Sequence, residues 1–397
     1  MGFYFMQKII EYILTFLSVA MVNQNQSINN KRVAKYDNLK GLAIILVVFV
    51  HVISPVRYNI DFYFTLTNLI VIFAMPIFFF VGGHFSKISE GSSFKAFKNI
   101  LIPYVVFSVI WIIFNYFILG RSLPGLPFLV PVYGLWFLLS LFTMKLILPI
   151  LVKIKYILPI TIILSLLIGL VPISDDFLSY SRTFCFLPVF LVGYYYNDYK
   201  KVFYDRIAKK HESIFNLLKS KAFVFIILIL FLILMWNFCL YSLSYVSYAQ
   251  SFDLMQLKSS YVDIELSRSE GIISRLIVII SGIMAALFAS KLITNKVTFL
   301  TKLGINSLTV YILHVYITRF IFLELRRDSP LEFIFNDPLL SGIYAIFMVS
   351  LISYILSGDF VNKIFNGLIN VSVNVIMYPF YQIFNKNETV NKEDTDK

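Results

Sequence analysis

The stretch that decides the fold is YDNLKGLAIILVVFVH, at residues 36–51. Residues 41–50 are all Gly, Ala, Val, Leu, Ile or Phe, so in a membrane helix Lys40 and His51 are the groups that can carry a proton. An ionisable side chain at membrane depth is energetically expensive and indicates a functional site. Their separation brings both side chains to within roughly 20° of one helix face, about 16 Å apart along the axis. We therefore predict that one wall of an interior cavity carries both.

The composition excludes a soluble domain. Hydrophobic residues make up 59% and charged residues 14% of the 397 residues, and the mean hydropathy is +0.80. Apolar runs of about 17 to 23 residues alternate with short charged loops, which is typical of membrane-spanning helices. The sequence thus predicts an all-α, polytopic integral membrane helical bundle with about ten transmembrane helices. The net charge of +12 does not indicate nucleic acid, because the basic residues collect on one side of the membrane.

Ten apolar runs are predicted to span the membrane. With the loop before the first run in the cytoplasm, most of the 34 lysines and arginines lie on that side. Since basic loops stay inside, both termini are predicted to be cytoplasmic. The predicted spans are at about 39–56, 64–86, 99–119, 133–152, 156–173, 182–199, 221–241, 271–290, 304–323 and 339–356.

The sequence divides into three parts. Residues 1–30 form an apolar segment with three open interpretations: an interfacial helix, an extra span, or a start assigned too early, with Met21 as the true beginning. Residues 31–357 form one transmembrane domain. Residues 358–397 are intermittently apolar and end in a charged segment, which predicts an interfacial helix and a disordered cytoplasmic tail.

The two cysteines do not indicate a disulfide framework or a thiolate metal site. Cys185 and Cys239 lie within apolar runs, so we interpret both as small core residues. The sequence contains no phosphate-cradling glycine loop, no zinc-ligand spacing and no nucleophilic serine elbow. The lack of these motifs disfavours phosphoryl transfer and metal chemistry, and no metal site is predicted.

Two histidines lie inside predicted spans. His51 is either a core histidine bonded to a backbone carbonyl or a general base, which takes a proton from a sugar hydroxyl as that oxygen attacks an acyl carbon. His314, in the run GINSLTVYILH at residues 304–314, is a candidate partner or an alternative base. The sequence therefore predicts imidazole chemistry at membrane depth.

Three lysines border the first and third spans. Lys40 lies at the predicted cytoplasmic boundary, where a long cationic chain can snorkel. Lys95 and Lys98, in the run KAFKNILIPY, share a helix face and can hold a phosphorylated ligand from the cytosol. Lysines that simply flank a membrane span are the alternative interpretation.

Other polar groups and helix breakers border the remaining spans. Pro76 and the run at residues 82–84, Gly-Gly-His, are expected to interrupt or end the second span, where a cavity is tolerated. Arg182 opens the sixth span and can pair with Asp175 and Asp176 or steady a substrate oxygen. The loop at residues 242–270 is rich in Ser and Tyr and contains Asp253, Asp263, Glu265 and Glu270, which suits carbohydrate contact and equally suits any exterior loop.

The motif DNLKG at residues 37–41, followed by His51, resembles the start of the membrane-bound acyltransferase-3 family, whose members O-acylate surface glycans. The most similar branch is the fucose 4-O-acetylase-like one. The resemblance continues through MPIFF at 75–79, KAFKNILIPY at 95–104, LWFLL at 135–139, the run at 182–194 and GINSLTVYILH at 304–314.

The resemblance implies about ten spans, an acyl-CoA donor approached from the cytosol, and an acceptor sugar at the membrane or beyond it. It implies that His51 is the essential histidine and Lys40 the basic residue before it. It further implies that Lys95 and Lys98 contact the donor and that Arg182 is a branch-specific arginine.

The sequence departs from the family pattern at three places. Arginine is commoner at the three lysine positions, and lysine lacks bidentate phosphate geometry. A Ser-Gly-aromatic triplet usually stands where this chain has Gly82, Gly83 and His84. Some relatives also carry an extracytoplasmic esterase-like domain. We expect this chain to act without one, alone or with a separate partner.

We therefore expect a membrane-bound O-acyltransferase of the bacterial cytoplasmic membrane that moves an acetyl group from cytosolic acetyl-CoA to a hydroxyl of a cell-surface or exported polysaccharide sugar. Lys95 and Lys98, with Lys40, would hold the CoA phosphates, and Arg182 or His314 would orient the acceptor. The expected partners are the bilayer, a glycan or lipid-linked sugar and polysaccharide biosynthesis proteins, with no permanently bound cofactor. A polysaccharide export component and an inactive relative kept for assembly are the alternatives.

Overall fold

The computed structural model describes residues 33–118, 120, 128–131, 133–172, 177–202, 220–326 and 332–395. The predictions for residues 1–30, and for Asp175 and Asp176 as partners of Arg182, lie outside these described residues. Within them all regular structure is helical. In chain order the helices are α1 (Ala34–Val52), α2 (Asp61–His84), α3 (Ser92–Phe117), α4 (Trp136–Leu151), α5 (Ile157–Leu167), α6 (Tyr180–Tyr194), α7 (Lys221–Ser242), α8 (Tyr248–Met255), α9 (Arg268–Leu292), α10 (Phe299–Ile305), α11 (Ser307–Arg326), α12 (Glu332–Asn336), α13 (Pro338–Leu356) and α14 (Asp359–Thr395).

Helices α1 and α2 run in opposite directions, because Tyr36 at the start of α1 stacks on His84 at the end of α2. Helices α2 and α4 run in the same direction, because Lys145, late in α4, bonds to Gly82, late in α2. We name the end of the bundle at which α1 begins, beside Lys40, the near end. The opposite end, beside His51, is the far end.

Among the described residues, eight helices are long and apolar enough to cross a membrane. Seven of them coincide with predicted spans, whereas the predicted spans 39–56, 156–173 and 304–323, which correspond to α1, α5 and α11, have no counterpart among the eight. The eighth, Asp359–Tyr378 in α14, lies in the segment that the sequence predicts to be an interfacial helix. The charged residues near the start of α1 and the shorter apolar stretches of α5 and α11 explain that difference. The predicted fold class is confirmed: the protein is an all-α, polytopic membrane helical bundle.

Helix α1 lies in the core because its backbone approaches α10 directly. A Cβ atom added at Gly41 would lie 2.1 Å from Leu300 O, and one at Gly304 would lie 1.7 Å from Asp37 O. Asn38, fully buried, accepts hydrogen bonds from two threonine hydroxyls and donates to two backbone carbonyls of the connection before α10. Small residues and satisfied polar side chains are what close helix packing in membranes requires. The DNLKG motif therefore fixes α1 in the bundle.

Helices α2 and α6 meet in the same way. A Cβ atom at Gly83 would lie 1.9 Å from Phe190 O, and one at Gly193 would lie 2.0 Å from Phe80 O. The prediction that Pro76 interrupts the second span is wrong, because α2 runs through it to His84. Gly282 of α9 faces the proline ring, since a Cβ atom there would lie 2.7 Å from Pro76 Cγ. The neighbouring helix thus accommodates the ring without a break.

The segment of residues 248–266 is fixed to the far end of the bundle. The Arg275 side chain of α9, 1% exposed, donates to Ser259 O at 2.5 Å and lies 4.9 Å from the Tyr261 ring centroid. Tyr261 donates to Leu166 O at 2.8 Å. Burial raises the pKa of Tyr261 to about 12, so its hydroxyl keeps the proton that it donates. This segment is therefore a folded part of the far end.

Both cysteines are buried and free, as the sequence predicts. Cys185 of α6 lies 3.6 Å from the Arg275 guanidinium, and Cys239 lies in α7. Neither side chain belongs to a disulfide.

The apolar part of α14 contacts the near end of the bundle through both its first and its last residues. Asp359 pairs with Lys302 at 3.2 Å, Phe365 stacks on Phe107 at 5.1 Å between ring centroids, and Met377 shares a buried apolar cluster with Phe94. The helical backbone of α14 continues to Thr395, the last described residue.

Candidate active site

Two cavities lie at opposite ends of α1. The far cavity, of about 290 Å³, contains His51 and Arg182 in its lining. The near cavity, of about 380 Å³, contains Lys40. Tyr311 of α11 belongs to the lining of both. The prediction that one cavity carries both Lys40 and His51 is therefore wrong: α1 lines both cavities, and the Tyr311 side chain lies between them.

Aromatic packing separates the two cavities. The Tyr311 ring centroid lies 5.4 Å from that of Phe137 and 6.3 Å from that of Phe78. Its hydroxyl donates to the carbonyl of Gly134, just before α4. This contact ties α11 to the start of α4 and holds the ring between the cavities.

His51 contacts two side chains that are distant in sequence. Its Nδ1 lies 3.3 Å from the Tyr133 hydroxyl, and its ring centroid lies 5.1 Å from that of His314. Tyr133 in turn stacks on Trp111 of α3, with centroids 5.5 Å apart and planes at 16°. The His51 ring is thus oriented by an aromatic residue that is itself held by packing.

The backbone of Tyr133 adopts the left-handed conformation, with φ 47°. For a residue with a bulky side chain this conformation costs about 1–3 kcal/mol and is concentrated at functional sites. Tyr133 opens a short 3-10 turn before α4, and this turn presents the ring to the far cavity. Sequence reasoning did not identify Tyr133, because nothing local distinguishes it from other interfacial tyrosines.

His314 is fully buried next to His51. Its Nδ1 lies 2.8 Å from Val310 O, and since a carbonyl only accepts, Nδ1 carries the proton. A neutral His314 therefore presents Nε2 as an acceptor, and among the described residues this buried nitrogen has no hydrogen-bond partner. The structure brings His314 to His51, as one of the sequence interpretations requires.

Arg182 is buried but contributes to the far cavity. Its guanidinium carbon lies 4.5 Å from the Trp136 ring centroid, and the side chain is 6% exposed. Trp136 also lines the cavity. The guanidinium thus lies over an aromatic ring at the same cavity as His51.

Sequence reasoning missed two further cations of the far cavity, Arg57 and Lys258. Arg57 lies in the turn after α1, and its guanidinium carbon lies 3.8 Å from the Phe252 ring centroid. Lys258 follows α8 in the segment of residues 248–266. Arg57 could have been identified from the sequence, because it follows His51 closely. Lys258 could not, because only the fold brings it to this cavity.

The near cavity contains a basic residue that the sequence analysis also missed. Lys145 of α4 donates to Ser86 Oγ at 2.8 Å and lies 3.3 Å from Gly82 O. Lys40 pairs with Asp37 at 2.8 Å in the same helix. A lone lysine inside the apolar run of α4 is itself a functional indication, so Lys145 could have been found from the sequence.

Lys95 and Lys98 do not line the near cavity. Lys95 is exposed and Lys98 half-buried, whereas the next residue, Asn99, belongs to the cavity lining. A π-helical turn at Phe97–Leu101 accounts for this placement. A π turn changes which residues face a neighbouring helix, and such turns are frequent at functional sites. The structure therefore places the pair beside the near cavity and outside its wall.

His84 and the exterior carboxylates are placed outside both cavity linings. His84 stacks on Tyr36 with ring centroids 4.2 Å apart, which is a packing role at the near end. Asp263 accepts from Ser260 Oγ at 2.5 Å, and the Glu270 carboxylate caps the start of α9. These carboxylates stabilise the far-end segment, which favours the structural interpretation of that loop over carbohydrate contact.

The far cavity gathers a histidine, a tyrosine and two arginines at one end of a membrane helical bundle, and a second cavity lies at the other end. Such an arrangement is typical of a membrane-embedded enzyme or carrier. The chain matches the acyltransferase domain family model, acyltransferase-3, over residues 33–358, and it belongs to that family. It is thus a multi-pass membrane acyltransferase. No curated protein matches the chain, and no solved structure does.

Proposed function

We propose that this protein is an O-acetyltransferase that moves an acetyl group from acetyl-CoA to a hydroxyl of a cell-surface or exported polysaccharide sugar. The observation that supports this proposal most strongly is that Tyr311 lines both cavities. A thioester reaching through the near cavity and a sugar in the far cavity would meet beside this side chain. His51 lies in the far cavity, where the acceptor hydroxyl would be.

The proposal places the near end at the cytoplasmic face of a bacterial cell membrane. Exposed lysines at the near end, such as Lys200, Lys201 and Lys221, favour that orientation. Lys40 and Lys145 would then contact the part of the donor inside the near cavity. Lys95 and Lys98 would contact the CoA phosphates outside it. Lysine binds phosphate as a point charge, so this assignment does not require bidentate geometry.

The reaction requires one proton to move. The acceptor hydroxyl gives its proton to His51 as its oxygen attacks the thioester carbonyl carbon. The carbon–sulfur bond breaks, the thiolate of CoA takes the proton from His51, and an ester and free CoA result. Arg182 lies at the same cavity and would steady the carbonyl oxygen as it gains negative charge.

The tautomer of His51 decides whether it can act as this base. If Nδ1 carries the proton and donates to the Tyr133 oxygen, Nε2 is free to accept the proton of the sugar. Tyr133 is then a positioning residue that holds the imidazole in the reactive tautomer. His314 lies next to His51 with an available Nε2 and would stabilise the ring once it is protonated.

The test is a proton NMR comparison of surface polysaccharide from cells carrying the wild-type protein or His51→Ala at equal membrane levels. Loss of an O-acetyl resonance in the variant is the expected result, and its position on the sugar names the acceptor hydroxyl. The matched control is His84→Phe, which removes a histidine outside both cavities and keeps the stack on Tyr36.

Two outcomes would refute the proposal. If His51→Ala cells retain the wild-type O-acetyl pattern, His51 is not the base. If acylation is unchanged while less polysaccharide leaves the cell, the protein acts in polysaccharide export instead. The position of the resonance and the amount of exported polymer are measured on the same samples, which separates these outcomes.

A further inference from the structure

We infer that the Tyr311 side chain restricts the donor to short acyl groups. This inference rests on the proposed function and adds to it a residue that determines which acyl group is transferred. The acyl chain of a CoA thioester extends beyond the carbonyl carbon, on the side away from sulfur. A thioester that enters through the near cavity therefore brings its acyl chain to the inner end of that cavity ahead of its carbonyl carbon.

Three aromatic rings close the inner end of the near cavity. Tyr311, Phe78 and Phe137 all line this cavity, and all three side chains are buried. Their ring centroids lie 5.4 Å, 5.7 Å and 6.3 Å apart, which is the spacing of aromatic side chains in contact. We name these three rings the aromatic constriction.

Tyr311 is the part of the constriction that faces both cavities. Of the described lining residues, it is the one that the two cavities share. Phe78 and Phe137 line the near cavity and not the far one. An acyl group that moves from the near cavity toward the far one would therefore pass the Tyr311 ring.

The Tyr311 ring is held in place by neighbouring backbone. Its hydroxyl donates to the carbonyl of Gly134, in the short turn before α4. This turn lies close against α11, since a Cβ atom added at Gly134 would lie 3.3 Å from Val315 Cγ2. A ring that moved aside for a longer chain would lose its hydrogen bond inside a close-packed region. The constriction is thus set by the fold.

The constriction also lies next to the proposed base. Tyr311 and His314 are three residues apart on α11, so both lie on one helix face, with ring centroids 6.0 Å apart. The His314 ring in turn lies 5.1 Å from that of His51. A carbonyl carbon that reacts beside His51 therefore has its acyl chain close to these rings. The methyl of an acetyl group is the smallest carbon chain, and every added methylene needs space that the rings occupy.

The experiment is a competition between two donors. Membranes that contain the full-length protein receive equal concentrations of acetyl-CoA and butyryl-CoA. Glycan from His51→Ala cells serves as the acceptor, because it should lack the ester. Mass spectrometry then gives the ratio of acetyl to butyryl esters on the glycan. One methylene changes specificity about 10- to 200-fold, so the wild type should prefer acetyl by at least about 100-fold over a chain with two more methylenes.

Variants of the constriction test the role of the ring. Tyr311→Leu shortens the side chain, and the preference for acetyl should fall below about tenfold. Tyr311→Phe keeps the ring and should keep most of the preference. Phe78→Leu widens the constriction without removing the hydrogen bond to Gly134, and it should shift the ratio in the same direction. Phe78→Leu decides the question if size-exclusion chromatography shows that Tyr311→Leu does not fold.

The matched control is Tyr316→Leu. Tyr316 also belongs to α11 and donates to a backbone carbonyl, Phe107 O, at 2.8 Å, but it lies outside both cavity linings. The preference for acetyl should therefore stay at the wild-type ratio. All variants are compared at equal membrane level.

The outcomes distinguish this inference from the proposed function. If the wild type transfers butyryl as readily as acetyl, or if the folded leucine variants of the constriction keep the wild-type ratio, Tyr311 does not select the chain length while acyl transfer stands. If Tyr316→Leu shifts the ratio as far as Tyr311→Leu does, looser packing of α11 and not the constriction is responsible. If the wild type transfers neither acyl group to the glycan, the proposed function itself fails.

Discussion

Replacement of Tyr133 by Phe tests whether a single hydroxyl orients the His51 imidazole. The substitution removes the contact at 3.3 Å to Nδ1. It keeps the ring that stacks on Trp111 with planes at 16°. Folding should therefore be unchanged, and only the control of the His51 tautomer should be lost.

The expected magnitude follows from the geometry. A distance of 3.3 Å is slightly longer than an ordinary hydrogen bond, so in the ground state the bond contributes near the lower limit of about 0.5–1.5 kcal/mol. Once His51 is protonated, the bond is to a charged group and contributes about 1.5–3 kcal/mol. The difference of about 1–2.5 kcal/mol corresponds to a kcat that is roughly five to seventy times lower.

The assay follows acetyl transfer from labelled acetyl-CoA in membranes that contain the protein and its glycan acceptor. Because Tyr133 lines the far cavity and not the near one, the KM for acetyl-CoA should be unchanged. Tyr116→Phe, on an exposed tyrosine of α3, is the matched control. A Tyr133→Phe enzyme with wild-type kcat, or one in which only the KM for acetyl-CoA rises, would refute the positioning role.

Three further predictions concern the near cavity and the packing around the site. Lys145→Met should raise the KM for acetyl-CoA about tenfold, because one charge-assisted contact worth about 1.5 kcal/mol is lost; a change in the acceptor KM alone would contradict this placement. Lys95→Ala with Lys98→Ala should raise the same KM less than about fivefold, since charge contacts at the protein surface contribute about 0.2–1 kcal/mol. A larger effect than that of Lys145→Met would show that this pair dominates donor binding. Gly83→Val should abolish the folded protein in a detergent thermal melt, because its Cβ would lie 1.9 Å from Phe190 O; Gly367→Ala, where nothing lies within 4 Å of the new Cβ, should melt like the wild type.

Much of the architecture was predictable because membrane insertion depends on local composition. The apolar runs gave the positions of the long helices, and the cost of an ionisable group in such a run singled out His51 and His314. The same argument applies to Lys145, which lies inside the apolar run of α4.

Other features of the site could not be read from the sequence. Pro76 was expected to break α2, but the space left by Gly282 of α9 accommodates the proline ring. Lys95 and Lys98 were expected to contact the donor; the structure places them beside the near cavity, and after a π-helical turn it is Asn99 that belongs to the cavity lining. Each of these outcomes depends on a neighbouring helix or on a local change of helical geometry, which residue spacing in a regular α-helix does not predict.

The sequence by itself determined that this protein is a helical membrane bundle with a histidine at membrane depth, because the partition of each segment between water and lipid depends on that segment alone. Only the tertiary structure decided that Lys40 lines the near cavity and His51 the far one. It also decided that Tyr311 lies between the two cavities and that Tyr133 contacts His51. A membrane helix is apolar on nearly all faces, so its hydrophobic pattern does not fix its rotation about its axis. That rotation is set by close backbone contacts such as those at Gly41 and Gly304, and these contacts exist only once the helices have packed.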